Sequence, residues 1–256
     1  MRSLVIGLSL SVAALITSVD AMGDGSHSQS VRDMSYEEMA ETMQMDDTAS
    51  FGRALLDQAE WRDAGGSGTF EWQGNAWYGG DINKLLFKTQ GEREQDEWED
   101  VRAELFWDRA ISRWWRLQIG ARQNFGAGPD RTWAAVGVEG DGPMELEIEA
   151  TLYAGEQGRT AARIKIERDL FVTQRLILQP ELETNWYGTP DRARQLGSGF
   201  SDLELALRLR YEIRREVAPY VGIAWQRYFG ETADLARAED EDSDDLQFLA
   251  GLRIWY

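Results

Sequence analysis

Residues 202–213 read DLELALRLRYEI, a stretch in which apolar and polar side chains alternate at almost every step. Successive side chains of a β-strand point to opposite faces, so this period of two predicts a strand with one apolar and one charged face. In an α-helix the same charges would be scattered around the whole circumference. The apolar face carries Leu203, Leu205, Leu207, Leu209, Tyr211 and Ile213, and the other face carries Asp202, Glu204, Ala206, Arg208, Arg210 and Glu212.

The same period recurs from about residue 54 to the C-terminus. Clear cases are residues 145–152, 162–167 and 175–187, although Pro180 is an irregularity because a central strand rarely holds a proline. The first segment alternates weakly, with Leu55, Ala59 and Trp61 assigned to one face and Leu56, Gln58 and Glu60 to the other. The pattern predicts twelve strands, near residues 54–62, 70–78, 83–90, 98–108, 114–124, 132–139, 144–154, 159–168, 175–187, 201–213, 219–229 and 246–256.

An even number of strands suits a closed barrel in the outer membrane, with apolar faces toward lipid and polar faces toward the lumen. A soluble β-sandwich also alternates, but it does not need aromatic residues at its strand ends. Here such residues fall mostly toward segment ends: Trp107, Trp114, Trp115, Trp133, Trp186, Tyr187, Trp225, Tyr228, Trp255 and Tyr256. The last strand adds an apolar face of Phe248, Ala250, Leu252, Ile254 and the terminal Tyr256. The predicted fold class is all-β, an antiparallel outer-membrane β-barrel of about twelve strands.

The connections between the predicted strands give a second indication of a barrel. Outer-membrane barrels have short turns on the periplasmic side and longer loops outside. Even-numbered connections are short, at residues 79–82, 109–113, 140–143, 169–174 and 214–218. Odd-numbered ones include longer loops at 91–97, 188–200 and 230–245, with a short exception near 155–158. Arg and Glu stand side by side on the lumen faces, which predicts a salt-bridged and largely filled interior rather than an open pore.

Composition excludes several functional classes. The chain has 256 residues, 45 acidic and 27 basic side chains, a net charge of −18, no cysteine and one histidine, His27. This acidity argues against a nucleic-acid partner, and the lack of cysteine excludes disulfides, thiolate metal sites and a cysteine nucleophile. A mean hydropathy of −0.48 argues against a helical membrane bundle. Outer-membrane lipid is the partner that the apolar strand faces predict.

The N-terminal region precedes the predicted strands and divides into two parts. Residues 1–21 combine Arg2, a short apolar run and a small-residue exit, which indicates a signal peptide cleaved after Ala21. Residues 22–50 are acidic and poor in apolar groups, so we expect a disordered tail ahead of a barrel at residues 51–256. The candidate metal ligands are Met22, His27, Met34, Met39, Met43 and Met45, because thioethers prefer Cu(I). Alternatively, residues 35–43 form a short helix with Met39 and Met43 on one face.

Catalytic groups are sparse in the predicted barrel. The only histidine lies in the tail, so Ser112, Ser198 and Ser201 have no imidazole partner. The carboxylates of Glu147, Glu149, Glu181 and Glu183 are expected to form lumen ion pairs rather than an acid–base pair. Residues 65–68 and 197–199 are Gly-rich and predict loops, and the acidic run 239–245 predicts a solvated outer loop. The chain is therefore not expected to be an enzyme.

Several long motifs resemble the copper resistance protein B family of Gram-negative outer-membrane proteins. They are residues 77–92 (WYGGDINKLLFKTQGE), 158–163 (GRTAAR), 173–180 (TQRLILQP) and 201–216 (SDLELALRLRYEIRRE), and the likeness continues over 218–237. The resemblance covers roughly residues 54–256 and implies an outer-membrane barrel that takes part in copper tolerance. In the family a Met- and His-rich segment precedes the barrel, where Met34, Met39, Met43 and Met45 stand here. That segment is often long and repetitive in the family, whereas here it is short and has a single histidine.

The resemblance and the tail together predict an outer-membrane protein whose periplasmic tail binds copper, as cargo and as Cu(I), and so assists copper sequestration or efflux. A periplasmic copper carrier or oxidase is the expected protein partner. The alternative is a small specific channel for a polar solute with no copper role. A purely structural barrel is a third possibility that conductance and metal binding would separate from the first two.

Overall fold

The computed structural model describes residues 49–63, 68–94, 97–239 and 242–256. These residues all belong to one compact unit, Thr48–Tyr256. The predicted signal peptide and nearly all of the predicted tail lie outside the described residues. No helix in the described ranges is long and apolar enough to cross a membrane.

In the described part of the chain, twelve antiparallel strands form one closed sheet in sequence order, because the last strand pairs with the first. The two-residue strand Leu170–Phe171 continues the eighth strand after an interruption. The helix α1 (Gly230–Ala238) precedes the last strand. The strands are β1 (Phe51–Asp63), β2 (Thr69–Gly79), β3 (Asn83–Glu94), β4 (Glu97–Ala110), β5 (Trp115–Gly126), β6 (Arg131–Asp141), β7 (Glu147–Gly155), β8 (Thr160–Glu167), β9 (Leu176–Tyr187), β10 (Gly199–Tyr211), β11 (Val217–Tyr228) and β12 (Asp244–Trp255).

The barrel is polar inside and apolar outside, as the alternation predicted. On β10, Leu205 is 40% exposed on the outer face, whereas Arg208 is 1% exposed in the lumen. The same inversion holds for Leu152 and Thr151 on β7. An exposed apolar wall of this extent needs lipid around it, because soluble proteins rarely expose large contiguous apolar surfaces. The twelve-stranded membrane barrel is confirmed, and the soluble sandwich is not what forms.

A β-bulge at Asp57 explains the weak alternation of β1. The pairing of β1 with β2 shifts between Leu56 and Gln58, so one residue is extra on β1. The sequence had placed Leu55 on the same face as Ala59 and Trp61. Trp61 points outward, but Leu55 lines the lumen cavity, so the predicted faces were wrong before the bulge. The bulge resets the two-residue period and places Asp57 and Gln58 in the lumen together.

Pro180 lies within β9 and is accommodated by a gap in the neighbouring strand. Its carbonyl accepts a hydrogen bond from the Arg168 backbone N–H at 3.2 Å, so this edge of the residue faces β8. The ladder between β8 and β9 is interrupted there, between the pairs Glu181 with Glu167 and Leu178 with Leu170. Proline has no N–H to donate to the neighbouring strand. Because the pairing is already broken at this point, no carbonyl of β8 is left without its donor.

The two ends of the barrel differ in their connections. We call the end with connections 80–82, 111–114, 142–146, 168–175 and 212–216 the turn side, and the opposite end the loop side. Loop-side connections 188–198 and 229–243 are long, as predicted, and the second contains α1, which the sequence did not predict. The predicted loop at 91–97 was wrong, because β3 and β4 extend to Glu94 and from Glu97.

Exposed aromatic rings mark both edges of the apolar wall. On the turn side they include Phe51, Tyr78, Trp107, Trp114, Tyr211 and Tyr256, and on the loop side Trp61, Phe70, Trp98 and Phe125. Such belts lie at the two membrane interfaces of outer-membrane barrels. Trp133 departs from the predicted belt, because it lies inside the barrel in an apolar cluster with Leu86, Phe106 and Tyr153.

Candidate functional site

The predicted copper ligands lie outside the described residues. Met22, His27, Met34, Met39, Met43 and Met45 all belong to residues 1–48, so the structure neither brings them together nor separates them. Within the described ranges, no group of three or more His, Cys, Asp and Glu side chains has the arrangement of a metal site. The described candidate site is therefore the lumen and the loops that cover one of its mouths.

The lumen contains a belt of buried ion pairs built from facing strands. Arg163 of β8 holds Glu183 of β9 through two hydrogen bonds of 2.7 Å, and its Nη1 lies 3.3 Å from Glu149 of β7. Glu149 also pairs with Lys88 of β3 at 2.9 Å. Because β3 and β7 are four strands apart in the sheet order, this contact crosses the interior. The prediction of lumen ion pairs is confirmed for Glu149 and Glu183.

A second chain of ion pairs lies next to the first. Arg208 of β10 binds both carboxylate oxygens of Glu60 at 3.0 Å and lies 3.2 Å from Glu181 of β9. Lys165 pairs with Glu181 at 3.3 Å and with Glu167 at 3.1 Å. The predicted ion pairing of Glu181 is therefore confirmed as well.

Small residues give these long side chains room to meet. Gly222 lies opposite Arg208 on the next strand, and Gly251 lies opposite Glu60. A Cβ on Gly251 would come within 2.5 Å of the Tyr220 ring. The two glycines thus leave space on the inner wall between β10 and β1 for the side chains of Arg208 and Glu60.

One contact spans the full width of the barrel. The Lys165 ammonium on β8 donates to Gln73 Oε1 on β2 at 3.2 Å, and these strands stand on opposite sides of a twelve-stranded ring. Gln58 of β1 likewise donates to Glu181 of β9 at 3.1 Å. Side chains that meet across the interior fill it at this level. At this level the lumen is therefore filled, as predicted.

Below the belt, toward the turn side, the lumen opens into a cavity of about 310 Å³. Its outer part is lined by Arg53, Lys84 and Arg253, which stand near the turn-side ends of β1, β3 and β12. The Lys84 ammonium lies 3.9 Å from the centre of the Trp77 ring. Arg253 pairs with Asp57 at 2.8 Å, so the bulge on β1 supplies a carboxylate to this wall.

The loop side is covered by a folded cap, which we define as residues 188–198 together with α1. Thr232, Ala233 and Ala236 of α1 are buried. Thr232 Oγ1 accepts a hydrogen bond of 3.0 Å from the Gly197 backbone N–H and lies 3.0 Å from Ser201 Oγ. The buried spacing of small residues in GETADLARA is the signal by which this helix could have been recognised.

Ion pairs fasten the cap to the barrel wall. Asp191 accepts hydrogen bonds of 2.6 and 3.1 Å from Arg131 of β6, and it also lies 3.4 Å from Arg159. The hydrogen bonds from Arg131 hold the pKa of Asp191 below its usual value of 3.8. Arg194 pairs with Asp100 of β4 at 2.7 Å. The loop 188–198, which joins β9 to β10, is therefore held across the mouth to β6 and β4, which lie three and five strands away from β9.

The three serines considered as nucleophiles have structural contacts. Ser112 Oγ accepts the backbone N–H groups of Trp114 and Trp115 at 3.2 and 3.0 Å and so shapes a turn. The backbone N–H of Ser198 and its hydroxyl group both donate to Glu231, and these hydrogen bonds lower the pKa of Glu231. Ser201 contacts Thr232 within the cap.

A closed barrel with a lipid-facing apolar wall, two aromatic belts and an ion-paired lumen defines an outer-membrane β-barrel protein. The solved NanC porin shares this fold, with a TM-score of 0.53 and 10% identity, over 80% of this chain and 99% of that chain. The family model described as copper resistance protein B precursor matches residues 50–256. The chain therefore belongs to the copper resistance protein B family, and its role is in copper resistance.

Two relatives support this membership. Copper resistance protein B of Escherichia coli is 45% identical over 202 residues, which are 79% of this chain and 68% of that protein. A copper resistance protein B homolog of Pseudomonas syringae pv. tomato is 43% identical over 213 residues, which are 83% of this chain and 72% of that protein. The resemblance found in residues 77–92 and 201–216 is thus confirmed over most of the chain.

Proposed function

We propose that the protein binds copper as cargo, in the Cu(I) state, through methionine thioethers that precede the barrel. The observation that carries the proposal is the placement of soft ligands in a member of a copper resistance family. Five of the seven methionines and the only histidine lie between residues 22 and 45. Thioether sulfur prefers Cu(I) to the hard cations, so this concentration of sulfur fits a copper-binding role.

The proposed ligands fall into a close set and two outlying residues. Met34, Met39, Met43 and Met45 lie within twelve consecutive residues, so one ion can recruit several of them without a long loop. Met22 and His27 are nearer the predicted cleavage site and would complete or replace a ligand. Bound in this way, copper is sequestered, or handed on for efflux, and it takes no part in catalysis.

The barrel would hold this segment at the outer membrane. β1 begins at Phe51 on the turn side, and short turns face the periplasm in barrels of this kind. The segment joined to Phe51 would then meet copper in the periplasm, with a soluble copper carrier or an oxidase as its proposed partner. The hydrogen bond between Lys165 and Gln73 and the ion pair between Lys88 and Glu149 cross the lumen, and they favour this role over that of an open channel.

We also propose that the protein is not an enzyme. Ser112, Ser198 and Ser201 act in turns and in the cap, where their hydroxyl groups already have partners. The paired carboxylates Glu181 and Glu183 are engaged by lysine and arginine. These contacts suit structural roles, because a general base must be free to take a proton.

Copper binding to the full mature chain tests the proposal. Cu(I) is titrated against a chromophoric chelator for the native chain and for a variant with Met34, Met39, Met43 and Met45 each changed to Leu. We expect the native chain to withdraw Cu(I) from the chelator and the variant to lose this ability. Met144→Leu is the matched control, because it removes one thioether from a turn of the barrel. Equal binding by the fourfold variant and the control would disprove the thioether site.

Conductance separates the copper role from the channel alternative. We expect the native chain in a planar bilayer to show no steady current, because side chains from opposite walls meet in the lumen. A steady open current together with no Cu(I) binding would favour the small channel for a polar solute. Absence of both signals would leave a purely structural barrel.

A further inference from the structure

The cations of the barrel are paired differently inside and outside the wall. Lumen guanidinium groups such as Arg163 and Arg208 are held by carboxylates. On the outer face of the turn side, Arg109 and Arg113 are exposed and have no carboxylate in ion-pair range within the described ranges. Each lies against an aromatic ring instead. These two cations therefore remain available to an anion from outside the chain.

Both cations belong to the hairpin formed by β4 and β5, at the edge of the apolar wall. The Arg109 guanidinium lies 5.8 Å from the centre of the Trp107 ring, and that of Arg113 lies 4.9 Å from the centre of the Trp114 ring. Phe106 and Asp108 of β4 are buried in the lumen, so the alternating Trp107 and Arg109 face outward. The rings are 43% and 54% exposed, as expected of residues in an interfacial belt.

The geometry points to the headgroup of an anionic phospholipid as the ligand of this hairpin. An aromatic ring at the membrane interface sits at headgroup depth, and the guanidinium stacked on it is then level with the lipid phosphates. A guanidinium binds phosphate with two parallel hydrogen bonds, and its contact with the ring leaves the N–H edge free. Two such cations on one hairpin favour a lipid with net negative charge over a zwitterionic one.

The adjacent hairpin of β6 and β7 lacks such a pair of cations. The hairpin of β6 and β7 stands on the same side of the barrel, and it carries the carboxylates Asp141 and Glu145 instead of cations. Ser112 fixes the β4–β5 turn through the N–H groups of Trp114 and Trp115, so Arg113 starts from an ordered backbone. The site therefore combines ordered cations, flanking rings and an apolar surface for acyl chains, and it is separate from the proposed copper ligands.

Native mass spectrometry of the full mature chain tests the inference. The protein in detergent is exposed to an equimolar mixture of phosphatidylglycerol and phosphatidylcholine, and retained lipids are counted. We expect preferential retention of phosphatidylglycerol by the native chain. In Arg109→Gln and Arg113→Gln the preference should fall about fivefold for each cation removed. Substitution of lysine for arginine at both positions should keep part of the preference for phosphatidylglycerol, because lysine keeps the charge but not the bidentate geometry.

Two controls make the outcome decisive. Arg237→Gln removes the same charge from α1, where the partner is Asp234, and it should leave lipid retention unchanged. Heat-modifiable migration on gels reports whether each variant has folded. Equal retention of phosphatidylglycerol by the native chain and by a variant that carries both Arg109→Gln and Arg113→Gln would overturn the inference. Displacement of the lipid by soluble glycerophosphoglycerol would also overturn it, because the hairpin would then bind a free anion rather than a lipid.

Discussion

Two arginine–carboxylate pairs of the same geometry lie in different surroundings. Arg163 donates two hydrogen bonds of 2.7 Å to Glu183 in the lumen, and the side chains are 2% and 13% exposed. Arg131 binds Asp191 at the loop-side mouth with contacts of 2.6 and 3.1 Å, and the side chains are 19% and 7% exposed. The first pair joins two strands of the wall, whereas the second joins a loop to a strand end. The lumen pair therefore stabilises the barrel wall, whereas the pair at the mouth stabilises the position of the cap.

Burial determines what the loss of one partner costs in each place. A carboxylate left alone in the buried belt keeps its desolvation cost without any compensating attraction. Asp191 is also largely covered, but it belongs to a loop that can open to water when its partner is removed, so the loss is small. Breakage of the lumen pair is therefore expected to lower global stability, whereas breakage of the cap pair opens one loop.

The largest effect is expected when the lumen pair is broken from one side. Arg163→Met removes the only cation within ion-pair range of Glu183 among the described residues, while Glu149 keeps Lys88. We expect a loss of about 3–5 kcal/mol in the free energy of unfolding. Urea unfolding of the barrel in detergent, followed by tryptophan fluorescence, measures it. Arg237→Met, at an exposed pair on α1, serves as the control and should change stability by less than about 0.5 kcal/mol.

A double variant sharpens this result. Arg163→Met combined with Glu183→Leu replaces both charged partners with apolar groups of similar length. Such replacements are often neutral, because the desolvation cost disappears together with the attraction. We therefore expect the double variant to recover most of the stability lost in the single one. A double variant as unstable as Arg163→Met would show that packing, rather than the orphaned charge, caused the loss.

The alternation of β10 shows how far the sequence alone could define the fold. Each of its side chains faces either lipid or lumen, so Leu207 and Arg208 were assigned to the correct faces. The same rule failed at β1, because the bulge at Asp57 moves the next residue to the other face and no composition signal marks it. Trp133 was misplaced for a different reason. The lumen contains apolar clusters of its own, so an aromatic side chain near a strand end can point inward.

The candidate site was less predictable than the wall. The pattern indicated that Lys165 faces the lumen, but its contact with Gln73 depends on which strands stand opposite each other in the closed ring. The cap was missed because residues 230–245 are dominated by charge, and only the small buried residues of α1 reveal a helix. The thioether candidates, led by Met34, Met39 and Met43, lie outside the described residues and remain a prediction from the sequence.

An intermediate effect is expected from crowding of the cap. A Cβ on Gly197 would lie 2.3 Å from the Thr232 backbone nitrogen, so Gly197→Ala must push α1 away from residues 188–198. We expect a local cost of about 1–3 kcal/mol and faster trypsin cleavage after Arg192 and Arg194, with urea unfolding of the barrel unchanged. Gly80→Ala is the matched control, because its Cβ meets no atom closer than 3.7 Å. Equal cleavage of both variants would show that the cap does not depend on this contact.

The smallest effect is expected from Asp191→Asn, which weakens the cap pair by about 1 kcal/mol because the pair lies in a loop that can open to solvent. The folded pKa of Asp191 is lowered by Arg131, so its stabilising contribution is complete above pH 3.8 and is lost as the pH falls through the folded value. Pepsin, which works in acid, should cleave residues 188–198 of the variant faster than those of the native chain at pH 4.5. The difference should shrink below pH 3.8 and vanish once Asp191 is protonated, whereas a difference independent of pH would show that the carboxylate charge does not hold the cap.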